Sequence, residues 1–315
     1  MAGRRKHRGT AGRKAPRRSP FRKILVATDF AQDAGWAVER AARLPLAEGG
    51  KLIIAHVLPY GIPPKYEGQI ERDAQRSLED IVRRVLDGYR KAARADVSVV
   101  SVLLTGTTYV EIIRLARTEM ADIIVIGKHG RRVIRDLLLG STAEKIIRTT
   151  NIPVLIVKVK PSGSYNRPVI ALDLEDTARS TIELALRSLG PKVTNISVVH
   201  AYTAPFEGFI VPSFSAREVN AYRNECRDEA LSGLQRLLKL TGDTVRWKVS
   251  VKRGDPRFVL TRESATHRAD LMVLGTHSRS GLSHALLGSV AEYVVRSAAC
   301  DVLLSPPARF SFALP

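Results

Sequence analysis

The chain has 315 residues, 44% of them hydrophobic and 26% charged, with a formal net charge of +19. That length and apolar content predict a soluble globular protein of two domains of about 140 residues, each able to bury its own core. Its longest uncharged apolar runs, such as residues 152–157, are too short for a membrane span, and Cys226 and Cys300 form no CxxC pair; this argues for a reducing, cytoplasmic setting and against a disulfide scaffold.

Residues 1–23 hold ten of the cationic side chains and no acid, interspersed with glycine and proline. Residues 1–20 therefore read as a disordered basic tail that could reach nucleic acid or an anionic surface by charge. No apolar stretch of a signal peptide is present there, and no aromatic precedes Phe21 to stack on bases.

The first domain, residues 21–160, opens with a strand over 24–28 that ends at Asp29. A helix over 33–46 closes at Gly49-Gly50, and a second strand, 52–58, carries His56 and Val57. After a Pro/Gly-rich loop come a long charged helix over 70–95, a strand over 97–104 and a helix over 110–120. The run Ile123-Ile124-Val125-Ile126 then stops at Gly127. Lys128-His129-Gly130 and nine further residues lead to Gly140-Ser141-Thr142, and the composition that follows predicts a helix with a hydroxyl at its N-cap. A last strand covers 153–159. Apolar strands too continuous for a one-sided sheet, alternating with helices, give the fold class: α/β, doubly wound, with a parallel sheet covered on both faces.

The pattern is then repeated. Gly127, Gly140, Ser141 and Glu144 each have a counterpart 148 positions later, while Val26-Ala27-Thr28-Asp29 and His56 match Ile170-Ala171-Leu172-Asp173 and His200 at an offset of 144. Two near-equal halves imply a duplicated domain. Residues 161–168 are the linker, 169–306 the second domain and 307–315 a C-terminal tail.

Glycines at both ends of the loop let main chain approach a ligand, and a helix start offers N–H groups to an anion, so the loop suits phosphate; glycines needed only for packing would look the same. Asp29 could bond a ribose hydroxyl or cap its own turn. His56, on a buried strand, reads as structural rather than as a base. Lys128, Arg131 and Arg132 could neutralise phosphate or form an exposed rim. The chain lacks a GxxxxGK[ST] loop, a GxGxxG turn, an HExxH helix and a GxSxG elbow. It offers no catalytic set, and binding is favoured over chemistry.

Gly127-x2-Gly130-x9-Gly140-Ser141-Thr142, with Ala27-Thr28-Asp29 upstream and His56-Val57 between, resembles the universal stress protein family in its nucleotide-binding branch. The second half is similar through Asp173, His200, Gly275-Thr276-His277 and Gly288-Ser289-Val290. The resemblance implies tandem five-stranded flavodoxin-like or Rossmann-like domains that bind ATP with Mg or Mn, a role in stress survival or ATP sensing, and weak hydrolysis at most. It also implies that Ala27, Thr28, Asp29 and Val57 hold adenine and ribose, while Ile126, Gly127, His129, Gly130, Gly140, Ser141 and Thr142 cradle ribose and phosphates. Asp173, Gly275, Ser278, Gly288, Ser289 and Val290 would do the same in the second half, where Ser278 replaces the second glycine. If that corner needs a positive φ, a serine costs about 1 kcal/mol there, so the first half is expected to bind better. The family also pairs domains through the last strand, which allows an intramolecular pseudo-dimer and a further homodimer. The alternative is a non-nucleotide interaction scaffold tethered by its basic tail.

Overall fold

The computed structural model describes residues 19–92, 96–130, 139–174, 177–190, 193–205, 214–239, 245–276 and 287–307. Residues 1–18 of the basic tail lie outside them. So do Arg131, Arg132, His277 and Ser278.

The first half contains β1 (Phe21–Ala27), α1 (Gln32–Arg43), β2 (Leu46–Leu58), α2 (Pro64–Lys91) and β3 (Ser98–Thr105). It continues with α3 (Thr108–Thr118), β4 (Ile123–Gly127), α4 (Ser141–Thr149) and β5 (Val154–Val157). The second half has β6 (Pro168–Ala171), α5 (Ala178–Ser188), β7 (Asn195–Tyr202), α6 (Ala216–Lys239) and β8 (Arg246–Arg253). It ends with α7 (Pro256–Thr266), β9 (Leu271–Gly275), α8 (Ser289–Ser297) and β10 (Asp301–Ser305).

Several boundaries differ from the sequence reading. Helix α1 stops at Arg43, and β2 begins at Leu46, where Gly49 at φ +67° supports an irregularity against β1. Helix α2 starts at Pro64, whose fixed φ suits a first helical turn, and it runs through Gly88 without a break. The N-cap of α4 is Gly140 rather than a hydroxyl residue, and it makes no side-chain cap bond.

All ten strands form one sheet in the order β3-β2-β1-β4-β5-β10-β9-β6-β7-β8. Each half is parallel, in the 3-2-1-4-5 order of a doubly wound Rossmann-type sheet. The halves meet antiparallel, with Val302 opposite Ile156, Leu303 opposite Leu155 and Leu304 opposite Val154. The last strands thus pair within one chain. Alternating strand residues feed two cores that run the length of the sheet. Ile24, Val26, Leu52 and Ile54 pack on one side; Leu25, Ile53, Ile124 and Ile156 pack on the other.

Charge also holds the junction. Asp301, fully buried on β10, accepts from Arg40 Nε of α1 at 3.2 Å, Tyr165 Oη at 2.7 Å and the main-chain N–H groups of Lys158 at 2.8 Å and Val159 at 3.2 Å. Arg148 of α4 bridges Glu292 of α8 at 3.3 Å across the same joint.

The Lys158 ammonium donates to the carbonyls of Val295 and Ala298 at the end of α8. Burial, reinforced by the Lys128 charge, pulls its pKa from 10.5 down to about 8. Between those two values the unfolded chain holds a proton that the folded chain has released, so stability rises with pH across that window. Wild type is therefore expected to gain stability between pH 7 and pH 9.5 relative to Lys158→Met, by up to about 1.4 kcal/mol per pH unit near the middle of the window. Paired urea titrations at each pH check this; parallel curves would refute it.

Candidate functional site

In a doubly wound sheet a ligand crevice opens where strand order reverses, outside the carboxyl ends of the strands. In the first half this is the gap between β1 and β4, which pair through Ile24 and Ile123. The loops after both strands converge there.

The β1 loop is held by its own polar groups. Thr28, buried, donates its N–H to Ala55 of β2 at 2.9 Å, and its hydroxyl oxygen accepts the Phe30 N–H at 3.1 Å. Asp29 Oδ1 accepts the Ala31 N–H at 3.0 Å, an Asx-type turn into α1. This turn drives Phe30 to φ +65°, a left-handed conformation that bulky residues avoid. The Phe30 ring packs 4.4 Å from the His56 ring. Nothing in the sequence singled out Phe30.

His56 Nδ1 lies 2.7 Å from the Thr28 carbonyl, and His200 Nδ1 lies 2.7 Å from the Leu172 carbonyl. Each histidine ties the second strand of its half to the loop after the first, for His56 the structural role expected.

The glycines sit close against their surroundings. A Cβ on Gly127 would come within 2.8 Å of the Asp33 carbonyl carbon and oxygen, so this residue is small because the start of α1 lies on it. Gly127→Ala is expected to cost about 1–3 kcal/mol of stability, since main chain must move; its urea midpoint tests this. A Cβ on Gly130 would lie 2.8 Å from Asp29 Oδ2. Among the described residues the glycines of positive φ are Gly49, Gly61, Gly106 and Gly254. Gly130 therefore answers to the Asp29 carboxylate, and the positive-φ argument for the Gly130 position fails. Gly140 donates its N–H to the Lys128 carbonyl at 3.0 Å, closing the loop so that α4 begins beside Gly130.

The structure therefore brings Ala27, Thr28, Asp29, Ile126, Gly127, His129, Gly130, Gly140, Ser141 and Thr142 to one end of the sheet. Val57, buried 7% exposed on β2, stands one strand over. His129 buries both ring nitrogens beside the loop. The second half repeats the frame: Leu172 donates to Val199 at 3.0 Å, Asp173 follows β6, and Gly288 donates to Thr276 at 2.8 Å ahead of Ser289 and Val290. Gly275 ends β9. The Ser278 expectation lies outside the described residues.

The family model described as "Universal stress protein family" matches residues 20–158 and again 164–306. The chain belongs to that family. A universal stress protein of Methanocaldococcus jannaschii is 26% identical over 159 residues, covering 45% of this chain and 98% of that protein. One of Mycolicibacterium smegmatis is 24% identical and covers 90% of this chain and 97% of its own length, so its size matches the tandem form. The crystal structure of a universal stress protein from Archaeoglobus fulgidus superposes with a TM-score of 0.64 at 16% identity, covering 90% of this chain and 98% of that one. A solved universal stress protein in complex with cAMP is 26% identical, covering 45% of this chain and 100% of its own, with a TM-score of 0.35. Among the described residues no helix of this universal stress protein is long and apolar enough to cross a membrane.

Proposed function

We propose that this tandem universal stress protein binds ATP in its first half as a regulatory ligand, with hydrolysis slow at most. The observation that carries the reading is the approach of Asp29 to Gly130: a Cβ at Gly130 would lie 2.8 Å from Asp29 Oδ2, so the corner beside that carboxylate is free of side chain, next to a helix start that no side chain caps. Such a corner would admit phosphates to main-chain N–H groups, and Asp29 would accept a ribose hydroxyl. Ala27, Thr28, Val57 and Ile126 would flank the base and sugar. Gly127, His129, Gly140, Ser141 and Thr142 would line the phosphate path. Among the described residues there is no group of three or more His, Cys, Asp or Glu side chains to hold a metal, so a Mg or Mn ion would ride on the phosphates.

The second half, with Asp173, Gly275, Gly288, Ser289 and Val290 in equivalent places and Ser278 where the sequence repeat puts Gly130, would bind more weakly. The test is nucleotide content. The chain, purified without added ligand, is denatured and the released species identified by mass spectrometry, followed by calorimetry with ATP and with cAMP. ATP in the supernatant and one tight site per chain support the reading. No nucleotide and no ATP heat would leave the scaffold alternative, and tighter cAMP than ATP binding would change the ligand.

A further inference from the structure

The two ends of the ten-stranded sheet are built differently. Edge strand β3 reads SVVSVLLT, without a charge. Edge strand β8 reads RWKVSVKR, and the chain runs on through Gly254-Asp255-Pro256 to Arg257-Phe258, so residues 246–258 hold five cations and one acid. The duplication makes the first half an internal control. At an offset of 148, the positions of Arg246, Lys248, Lys252, Arg253 and Arg257 hold Ser98, Val100, Leu104, Thr105 and Tyr109, and Phe258 replaces the buried Val110. Gly106 and Gly254 correspond as well, both at positive φ. The same edge thus folds without these cations, so neither the fold nor the guarding of an open edge calls for five of them.

The cations form a line. Strand alternation puts Arg246, Lys248 and Lys252 on one face over about 20 Å, and all three are exposed. Trp247, Val249 and Val251 pack on the core from the other face. Ser250, between the lysines, donates to Glu263 of α7 at 3.3 Å; that carboxylate is buried and has His267 at 3.7 Å and Arg262 at 4.0 Å. Arg257 is paired with Asp255, and among the described residues no carboxylate is paired with Arg246, Lys248 or Lys252. Beyond the row a cavity of about 400 Å³ is lined by Thr203, Ala204, Arg253, Gly254, Asp255 and Pro256. The next helical turn carries Phe258, 59% exposed, its ring edge-on to Tyr293 at 5.4 Å and the Arg257 guanidinium 5.7 Å from its centre.

We propose that this surface binds single-stranded nucleic acid, with phosphates along the β8 row and a base on Phe258. A cationic track that ends at an exposed aromatic ring is what sequence-tolerant single-strand binding requires. The outward main-chain N–H groups of an edge strand add donors for phosphate oxygens. A duplex keeps its bases stacked and offers none to the ring. A bilayer asks for a set of apolar side chains to insert, and Phe258 is the one large apolar side chain exposed on residues 246–258. A second copy of the strand is kept off by its own charge.

Fluorescence anisotropy of a labelled, mixed-sequence single strand of about 15 nucleotides, titrated with the full chain over a range of salt, tests this. Wild type is expected to bind, with affinity that falls as salt rises. Lys248→Gln with Lys252→Gln should, at unchanged urea midpoint, weaken binding about tenfold or more and lower the log–log salt slope by about 1.4, two phosphate contacts at about 0.7 each. Phe258→Ala should weaken binding about fivefold and leave the slope unchanged, because stacking is not ionic. Arg76→Gln with Arg83→Gln, which removes two exposed cations from α2, should change affinity less than about twofold. A wild type that ignores the strand, a lysine variant that keeps affinity and slope because the basic tail does the binding, a Phe258 variant that binds as wild type, or an α2 control that loses as much would each overturn the surface. Equal capture of phosphatidylserine vesicles, lost in the same lysine variant, would overturn it in favour of lipid.

Discussion

Gly130→Val is expected to lower ATP affinity about 100-fold, roughly 2.7 kcal/mol, while the protein stays folded. The added Cβ meets Oδ2 of the Asp29 side chain at 2.8 Å, and a carboxylate can rotate where main chain cannot. The fold therefore survives, but Asp29 leaves the position from which it would accept a ribose hydroxyl, and the branched side chain fills the corner meant for phosphate. This separates Gly130 from Gly127, where the same added carbon strikes the main chain of Asp33 and the loss is one of stability. Calorimetry with ATP, alongside a urea titration, reads both quantities. Ser278→Val is expected to change the tight site little. Should only the Ser278 variant lose binding, the order of the two halves is reversed.

Asp301→Ala is expected to cost about 3–5 kcal/mol of stability. The carboxylate is fully buried and faces Arg40, itself 4% exposed, so truncation leaves a guanidinium in the interior without its counter-charge. Arg40 keeps its bond to the Gly163 carbonyl at 2.7 Å and its stacking 3.9 Å above the Tyr165 ring, neither of which neutralises it. Two main-chain N–H groups and the Tyr165 hydroxyl also lose their acceptor. Asp301→Asn, which keeps an acceptor without the charge, should fall between wild type and alanine, and Tyr165→Phe should cost only about 1 kcal/mol. Urea unfolding ranks the three. An alanine variant within 1 kcal/mol of wild type would mean that apolar packing, not this carboxylate, holds the junction.

Much of the candidate site was legible because its signals are local. The stop of Ile123–Ile126 at Gly127, the spacing to Gly140-Ser141-Thr142 and its recurrence in the second half are properties of short stretches, and a duplicated stretch is hard to mistake. The reason for each glycine was not legible. Gly127 is small because the start of α1 lies on it, and Gly130 because Asp29 stands beside it, and both neighbours come from the β1-to-α1 segment about a hundred residues earlier. The hydroxyl N-cap expected before α4 gave way to Gly140 because closing the loop onto the Lys128 carbonyl sets where the helix can begin.

From residue order alone follow the doubly wound α/β class, the two copies, the strand-end positions of Asp29, His56 and Gly127, and the family likeness. Strand periodicity, helix composition and glycine placement act over a few residues, so the chain states them directly. The family likeness allowed the halves to pair through their last strands; only the folded chain decides that β5 and β10 do so within one sheet, that Arg40 finds Asp301 from 261 residues away, and that β3 is left as the unguarded edge. A charged residue in a sequence looks solvated until the packing of distant elements removes its water, and an apolar strand looks central until the topology puts nothing beside it.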